Sequence, residues 1–297
     1  MLAFYRVLFI GSIIAGLGFA FMHYSTSQRL ADLQRRPTPV TLEQAGGSGA
    51  ENGGSAQGPA KPPGRPHSVA PLISVVVEKI PAGFTERGTS FSLGDGLWLT
   101  ARHVANKDCA EIVLIVNGKN VRAQLGFLDR NADVAVLQAG ATSTPSLPIE
   151  ASTIVEGQRA FAFGFPSGSL GAMEDEAMGG TRLRLGGRLT GIAPVVVWAE
   201  IRRFPHDITT MTGISGGPML DAKGRVVGIV VATSVRRGRA ITIAPQILRA
   251  VEARLGPRGP EEQVPAHDAV AQPVSLDKSA HALSHNARIA QTYCIPD

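Results

Sequence analysis

The chain has 297 residues, 44% of them hydrophobic and 18% charged. That is enough apolar material for a real core and too little charge for a solvated, disordered protein. The net charge is +5, but the basic residues are scattered and carry no interleaved aromatics, so composition argues against a nucleic-acid partner. Two cysteines exclude a disulfide-dense scaffold and any four-cysteine metal site.

Residues 7–22 (VLFIGSIIAGLGFAFM) run without a charge directly after Arg6, near the lower limit of about 17–25 residues for crossing a bilayer. Residues 1–24 therefore read as a signal anchor or a signal peptide. The poor small-x-small site at Gly18-Phe19-Ala20 favours the anchor. Arg6 places the amino end in the cytoplasm and the remainder in the periplasm, held at the inner membrane, or secreted if the segment is cleaved. Residues 25–68 follow as a Gly/Pro/Ser-rich linker, with a short helix expected over Arg29–Arg35 before Pro37 and Pro39 stop it. The rest of this stretch buries too little apolar area to offset backbone ordering and reads as a flexible tether.

From residue 69 the texture changes. Strands are expected at Leu72–Val77, Gly88–Leu93, Leu97–Thr100, Glu111–Val116, Val121–Phe127, Ala132–Gln138, Arg159–Phe165, Thr181–Thr190, Val195–Ile201, Arg225–Thr233 and Ala240–Ala244. Short strands at this frequency, separated by Gly, Asn and Asp turns, predict an all-β fold of closed or sandwiched antiparallel sheets. One amphipathic helix is expected at Pro245–Leu255, with Pro in its first turn and Ile247, Leu248, Val251 and Leu255 on one face. The folded domain is thus expected over residues 69–256, with 257–297 as a carboxy-terminal tail that is either disordered or docks its last part (HALSHNARIAQTYCIPD) on the folded domain through Cys294. The acidic, glycine-rich stretch Gly171–Gly180 reads either as a mobile lid or as a solvated connector.

Three motifs punctuate the strands. An apolar hairpin ends in Thr100-Ala101-Arg102-His103, Asp133 opens the apolar run DVAVL, and Ser215 lies between glycines in TGISGGPML. Singly, each has an ordinary explanation as a turn, a cap or a core residue. Together they resemble the T/S-A-x-H, D-[IL]-A-[LV]-L and G-x-S-G-G-P segments of trypsin-like serine proteases, over roughly residues 71–255. The intervals, 30 residues from His103 to Asp133 and 82 from there to Ser215, resemble the compact bacterial HtrA-like branch. FAFGFPSG and GRAITIAPQIL add to that likeness.

The resemblance implies two antiparallel six-stranded β-barrels with a carboxy-terminal helix, and a serine endopeptidase acting on protein or peptide substrates without metal or organic cofactor. His103, Asp133 and Ser215 would be its catalytic triad. His103 would act as general base, Asp133 would orient it, and Ser215 would be the nucleophile. The backbone N–H groups of Gly213 and Ser215 would face the developing oxyanion. Thr209 would lie at the base of the primary pocket, and Val231, Ala232 and Thr233 would form an edge strand for substrate. A neutral Thr209 argues for small or medium apolar side chains ahead of the cut.

Departures matter too. Ile214 stands where digestive enzymes carry an acid that pairs with a new amino terminus, so that activation route is not available, and the resting state of the oxyanion loop is open. Residues 256–297 are too few for the PDZ domain with which HtrA-like proteins usually continue. GISGG also fits the G-x-S-x-G elbow of α/β-hydrolases, but a turn and a strand follow it where that fold needs a helix. A catalytically inactive binding or scaffold domain is the alternative, with Ile214 as its only support. His281 and His285 lack further ligands for a metal. Cys109 and Cys294 either pair in an oxidising compartment or remain separate thiols. The oligomeric state is left open.

Overall fold

Two hairpins show how local sequence sets the backbone. Asn117-Gly118 joins two strands with both residues at positive φ (48° and 73°), and Asp95-Gly96 does the same (52° and 72°). These are the dihedrals of type I′ turns, whose twist matches that of paired strands. A computed structural model of the chain describes residues 72–77, 84–129, 131–140, 144–150, 152–187, 189–256 and 275–296. The proposed anchor, linker and Arg29–Arg35 helix lie outside the described residues. Among those described, no helix is long and apolar enough to cross a membrane.

The strands are β1 (Ile73–Val77), β2 (Glu86–Gly94), β3 (Leu97–Thr100), β4 (Glu111–Val116), β5 (Lys119–Leu128), β6 (Ala135–Ala139), β7 (Arg159–Gly164), β8 (Gly171–Gly187), β9 (Gly191–Phe204), β10 (Pro218–Leu220), β11 (Val226–Ser234), β12 (Arg239–Ile243) and β13 (Ile289–Ile295). Helix α1 spans Pro245–Leu255, as the sequence predicts, and α2 spans Leu276–His285. Strands β13-β2-β3-β6-β5-β4 close into a six-stranded barrel. The other half is a seven-stranded sheet in the order β1-β8-β7-β10-β11-β12-β9, with a further pairing between β8 and β9.

Three features differ from the sequence expectations. First, the residues after 256 dock on the fold, one of the two states expected of them, but as a helix and a strand that the sequence did not predict. β13 runs antiparallel between β2 and β4 and completes the barrel, while α2 buries Leu276, Ala280 and Leu283. A disulfide joins Cys109 to Cys294, with Cα atoms 5.1 Å apart, which resolves the open question about the two thiols. Second, β1 pairs parallel with β8 in the seven-stranded sheet. Third, Gly171–Gly180 is neither lid nor connector. It is the first half of β8, paired to β7 and β9. Its acidic residues hide a period-2 pattern, because Glu174 is buried between Arg159 (2.7 Å) and Arg202 (2.5 Å). Met173 and Ala177, meanwhile, join the apolar interior of the sheet.

The buried faces meet in one main cluster that takes side chains from the barrel (Phe91, Leu99, Val136), the sheet (Phe163, Leu183, Ile229) and both helices. On α1, Ile247, Leu248, Val251 and Leu255 supply the buried stripe. At its far end the Arg254 guanidinium lies 4.1 Å from the ring centroid of Phe127, a cation–π contact from helix to barrel. The two halves are therefore fixed relative to one another, and the loops at their junction inherit that rigidity.

Candidate active site

His103 lies on the turn that follows β3, and Asp133 lies just ahead of β6. Pairing of β3 with β6 brings Thr100 opposite Ala135 and so delivers both residues to the same end of the barrel. The loop before β6 is shaped by Asp129, whose Oδ1 accepts the N–H groups of Asn131 (2.8 Å) and Ala132 (2.9 Å). Its own N–H donates to the Val134 carbonyl. A short polar side chain that satisfies the turn's donors is what holds Asp133 in place.

Asp133 grips His103 twice. Its Oδ1 accepts the His103 backbone N–H at 2.8 Å, and its Oδ2 lies 2.6 Å from Nδ1 of the ring. The carboxylate is 1% exposed and the imidazole 14% exposed. Burial pushes the Asp133 carboxyl up. The charge of His103, its two hydrogen bonds and the nearby Arg102 guanidinium outweigh that and hold the carboxyl below its usual range. Arg102 is itself anchored to the carbonyls of Asp129 and Thr190, both at 3.0 Å. With Nδ1 engaged by Asp133, Nε2 is the ring atom left to exchange a proton.

Ser215 lies on the loop between β9 and β10. Gly213 and Gly216 flank it at φ of 103° and 86°, a region that L side chains rarely adopt. Space forbids a side chain as well. A Cβ on Gly213 would lie 2.5 Å from the Phe165 carbonyl, and one on Gly216 would lie 2.2 Å from both Thr89 O and Thr100 Oγ1. The same Cβ would be 2.9 Å from the Ala101 nitrogen, so the serine loop abuts the segment that carries His103.

Thr89, on β2, is a residue that the motifs did not single out. Its N–H donates to the Ser215 carbonyl (2.8 Å). Its Oγ1 donates to the Gly213 carbonyl (2.8 Å) and accepts the Phe165 N–H (3.0 Å). Two carbonyls of the loop are thus turned inward by one fully buried residue. Among the described residues, neither the Gly213 nor the Ser215 N–H donates to a protein group. Ile214 is fully buried, in a cluster with Met211, Met219 and Val230, and its N–H donates to Met211 O at 3.0 Å. Where an acid would need a counter-charge, this chain seats an apolar side chain. The Phe165–Gly168 turn adds a further tie, with Ser167 N–H donating to Thr212 O at 2.7 Å. Gln291 of β13 reaches that same turn through the Gly168 carbonyl (2.6 Å).

The remaining expected residues also have definite places. β10 pairs with β11 only as far as Ile229, and Val230 exchanges backbone bonds with Gly216 (2.7 Å) and Gly217 (3.0 Å). Ala232 and Thr233 pair with β12. Among the described residues, the opposite edge of Val231–Thr233 carries no strand. Thr209 is exposed on the loop ahead of Ser215. No group of three or more His, Cys, Asp or Glu side chains is placed to hold a metal ion among the described residues.

This geometry coincides with a match to a known family. Residues 88–229 match the model of the trypsin-like peptidase domain. The chain carries a trypsin-like peptidase domain. Within it lie His103, Asp133 and Ser215, whereas β13, which closes its barrel, lies beyond the matched span. The chain is 29% identical over 180 residues to HhoB of Synechocystis sp., named a serine protease, covering 59% of this chain and 41% of that protein. It therefore spans about two fifths of the length of this curated relative. Among solved structures, the active form of the Rv3671c protease of M. tuberculosis is 19% identical with a TM-score of 0.50, covering 73% of this chain and 98% of that one. The MamO protease domain of Magnetospirillum magneticum is 20% identical with a TM-score of 0.44, covering 56% and 94%. At 19% identity the likeness to the Rv3671c protease speaks to the fold of the peptidase domain alone.

Proposed function

We propose that the chain is a serine endopeptidase that hydrolyses peptide bonds of protein substrates through His103, Asp133 and Ser215. The observation that carries the reading is the double grip of Asp133 on His103, with Nδ1 and Oδ2 at 2.6 Å. A serine hydroxyl becomes an effective nucleophile when a base takes its proton as it attacks. His103 Nε2 takes the Ser215 proton and returns it to the leaving amine. Asp133 holds the ring tautomer and stabilises the imidazolium, and water then releases the acyl-enzyme by the same route. The Gly213 and Ser215 N–H groups receive the developing oxyanion, each donor contributing about 3–4 kcal/mol of barrier lowering in comparable sites.

Substrate adds as a strand along the open edge of Val231–Thr233. Thr209 carries no charge into the primary site, which supports small or medium apolar side chains before the scissile bond. The additional β8–β9 pairing supports reading the seven-stranded sheet as the second barrel of the fold. The apolar run at 7–22 supports tethering at the inner membrane with the peptidase domain in the periplasm, the compartment in which a Cys109–Cys294 disulfide persists. Cleavage of casein by the full-length chain, compared with Ser215→Ala, tests the reading. Activity that survives in Ser215→Ala would defeat it.

A further inference from the structure

The open edge of β11 does not stop at Thr233. It runs on through Ser234 into a 3₁₀ turn, Val235–Arg237, capped by Gly238 in the left-handed conformation. Arg236 and Arg237 are exposed, and Arg239 completes the sequence RRGR. The Arg239 Nη1 folds back onto the carbonyls of Arg237 (3.2 Å) and Gly238 (2.8 Å), which fixes a third positive charge at the turn. None of the three guanidinium groups pairs with a carboxylate among the described residues. Glu200 is the acid beside the turn, its N–H donating to the Gly238 carbonyl at 3.0 Å. Its carboxylate is already committed to Arg203 through both oxygens. The turn is therefore an uncompensated cationic knob at the far end of the substrate edge.

Direction and distance follow from strand geometry. A peptide added antiparallel to the edge runs away from Ser215 as it goes back toward its own amino terminus. The residue before the scissile bond lies beside Val231, the first edge residue past the bonds between Val230 and the serine loop. At about 3.3 Å per residue, roughly the fourth to sixth residues before the cut reach the level of Ser234–Arg237. Resting on the reading of Ser215 as nucleophile, we propose that Arg236, Arg237 and Arg239 form a distal subsite selecting substrates with Asp or Glu at about the fourth to sixth positions before the scissile bond. The guanidinium forks receive those carboxylates as charge-assisted pairs. Because Arg236 and Arg237 are exposed and Arg239 is half-buried, the preference depends on ionic strength.

The test uses the full-length chain. Cleavage of a peptide library fixes the residues adjoining the cut, and two fluorogenic peptides are then built with those residues held constant. One carries three Glu at the distal positions and the other three Gln. At 50 mM NaCl the Glu peptide is expected to show a kcat/KM about five- to twenty-fold higher, the size expected of a few exposed ion pairs. The advantage should shrink toward unity at 500 mM NaCl. The double variant Arg236→Glu/Arg237→Glu, with both changes at exposed positions, should lose or invert it while keeping the wild-type melting temperature. Equal cleavage of the two peptides by the wild type, or a preference untouched by the double variant, overturns the proposal. If the wild type cuts neither peptide nor casein, it is the peptidase reading that fails. The subsite is then judged by fluorescence anisotropy of the same peptides on Ser215→Ala, where equal affinity overturns it and tighter binding of the Glu peptide supports it.

Discussion

Replacing Asp175 with Asn should stabilise the protein at neutral pH, and the gain should grow as pH rises. Asp175 lies in the middle of β8, opposite Ala160 on β7 and Glu200 on β9. It is completely buried, and neither carboxylate oxygen has a hydrogen-bond partner. Arg203 is the cation that acts on it, yet that guanidinium is taken up by Glu200 and by the Ile208 carbonyl at 3.1 Å. Burial, with the like charges of Glu200 and Glu174, pushes the Asp175 carboxyl up to about 8 from 3.8, and Arg203 pulls only weakly against this. Below the unfolded value the group is neutral in both states and costs nothing by ionisation. Between about 4 and 8 the folded state keeps a proton that the unfolded chain releases, so stability falls by about 1.4 kcal/mol per pH unit. At pH 7 the accumulated cost is about 4 kcal/mol, and above pH 8 it levels off near about 6 kcal/mol. Asn has similar size and no charge to lose. Urea unfolding followed by the fluorescence of the buried Trp98 and Trp198, at pH 4.5, 6, 7 and 8.5, measures the difference. Near-equality at pH 4.5 and a gain of several kcal/mol at pH 8.5 are expected. An Asn variant no more stable than wild type at pH 8.5, with an unchanged pH slope, would refute the reasoning.

Thr89→Val removes the hydroxyl that turns the Gly213 carbonyl inward, so kcat should fall by about 10- to 100-fold, within the range seen when oxyanion donors are disturbed. KM should change little, and Thr89→Ser should restore the rate; a Val variant with wild-type kcat contradicts the role. Cys294→Ser frees a crosslink spanning 185 residues, and loop-closure entropy puts the loss at about 5 kcal/mol. A thermal melt that does not respond to this change, or to reductant, would count against the disulfide as a staple for β13. Gly216→Ala forces a Cβ to within 2.2 Å of the Thr89 carbonyl at positive φ. It should cost at least about 1–3 kcal/mol and most of the activity, which denaturation and casein cleavage will read together.

Much of the candidate site's geometry was legible in the sequence because its three motifs set specific residue types beside backbone punctuation. His103 follows a hairpin, Asp133 sits where an Asp129-capped loop enters a strand, and Ser215 lies between glycines that nothing larger can replace. Helix α1 was legible to the residue because its apolar period and its bounding Pro and Gly agree. Thr89 was not, because its value lies in bonds to residues more than seventy positions away, which no local pattern encodes. Docking of the last residues through Cys294 was one expected alternative, but that they form a strand, β13, was missed for a related reason. A short strand after an Ala/Pro/Ser-rich stretch carries little signal of its own, and only its pairing with β2 and β4 and its disulfide bring it into the barrel. Gly171–Gly180 misled because charge suggested solvent, whereas arginines from two neighbouring strands cover Glu174.

The central claim is that Ser215 is a nucleophile activated by His103. Its most direct test is reaction of the full-length chain with a fluorophosphonate, followed by mass-spectrometric location of the adduct. The account predicts a single adduct on Ser215 that fails to form in Ser215→Ala and forms far more slowly in His103→Ala. Folded protein that is not labelled at Ser215, or is labelled there at the same rate without His103, would contradict it.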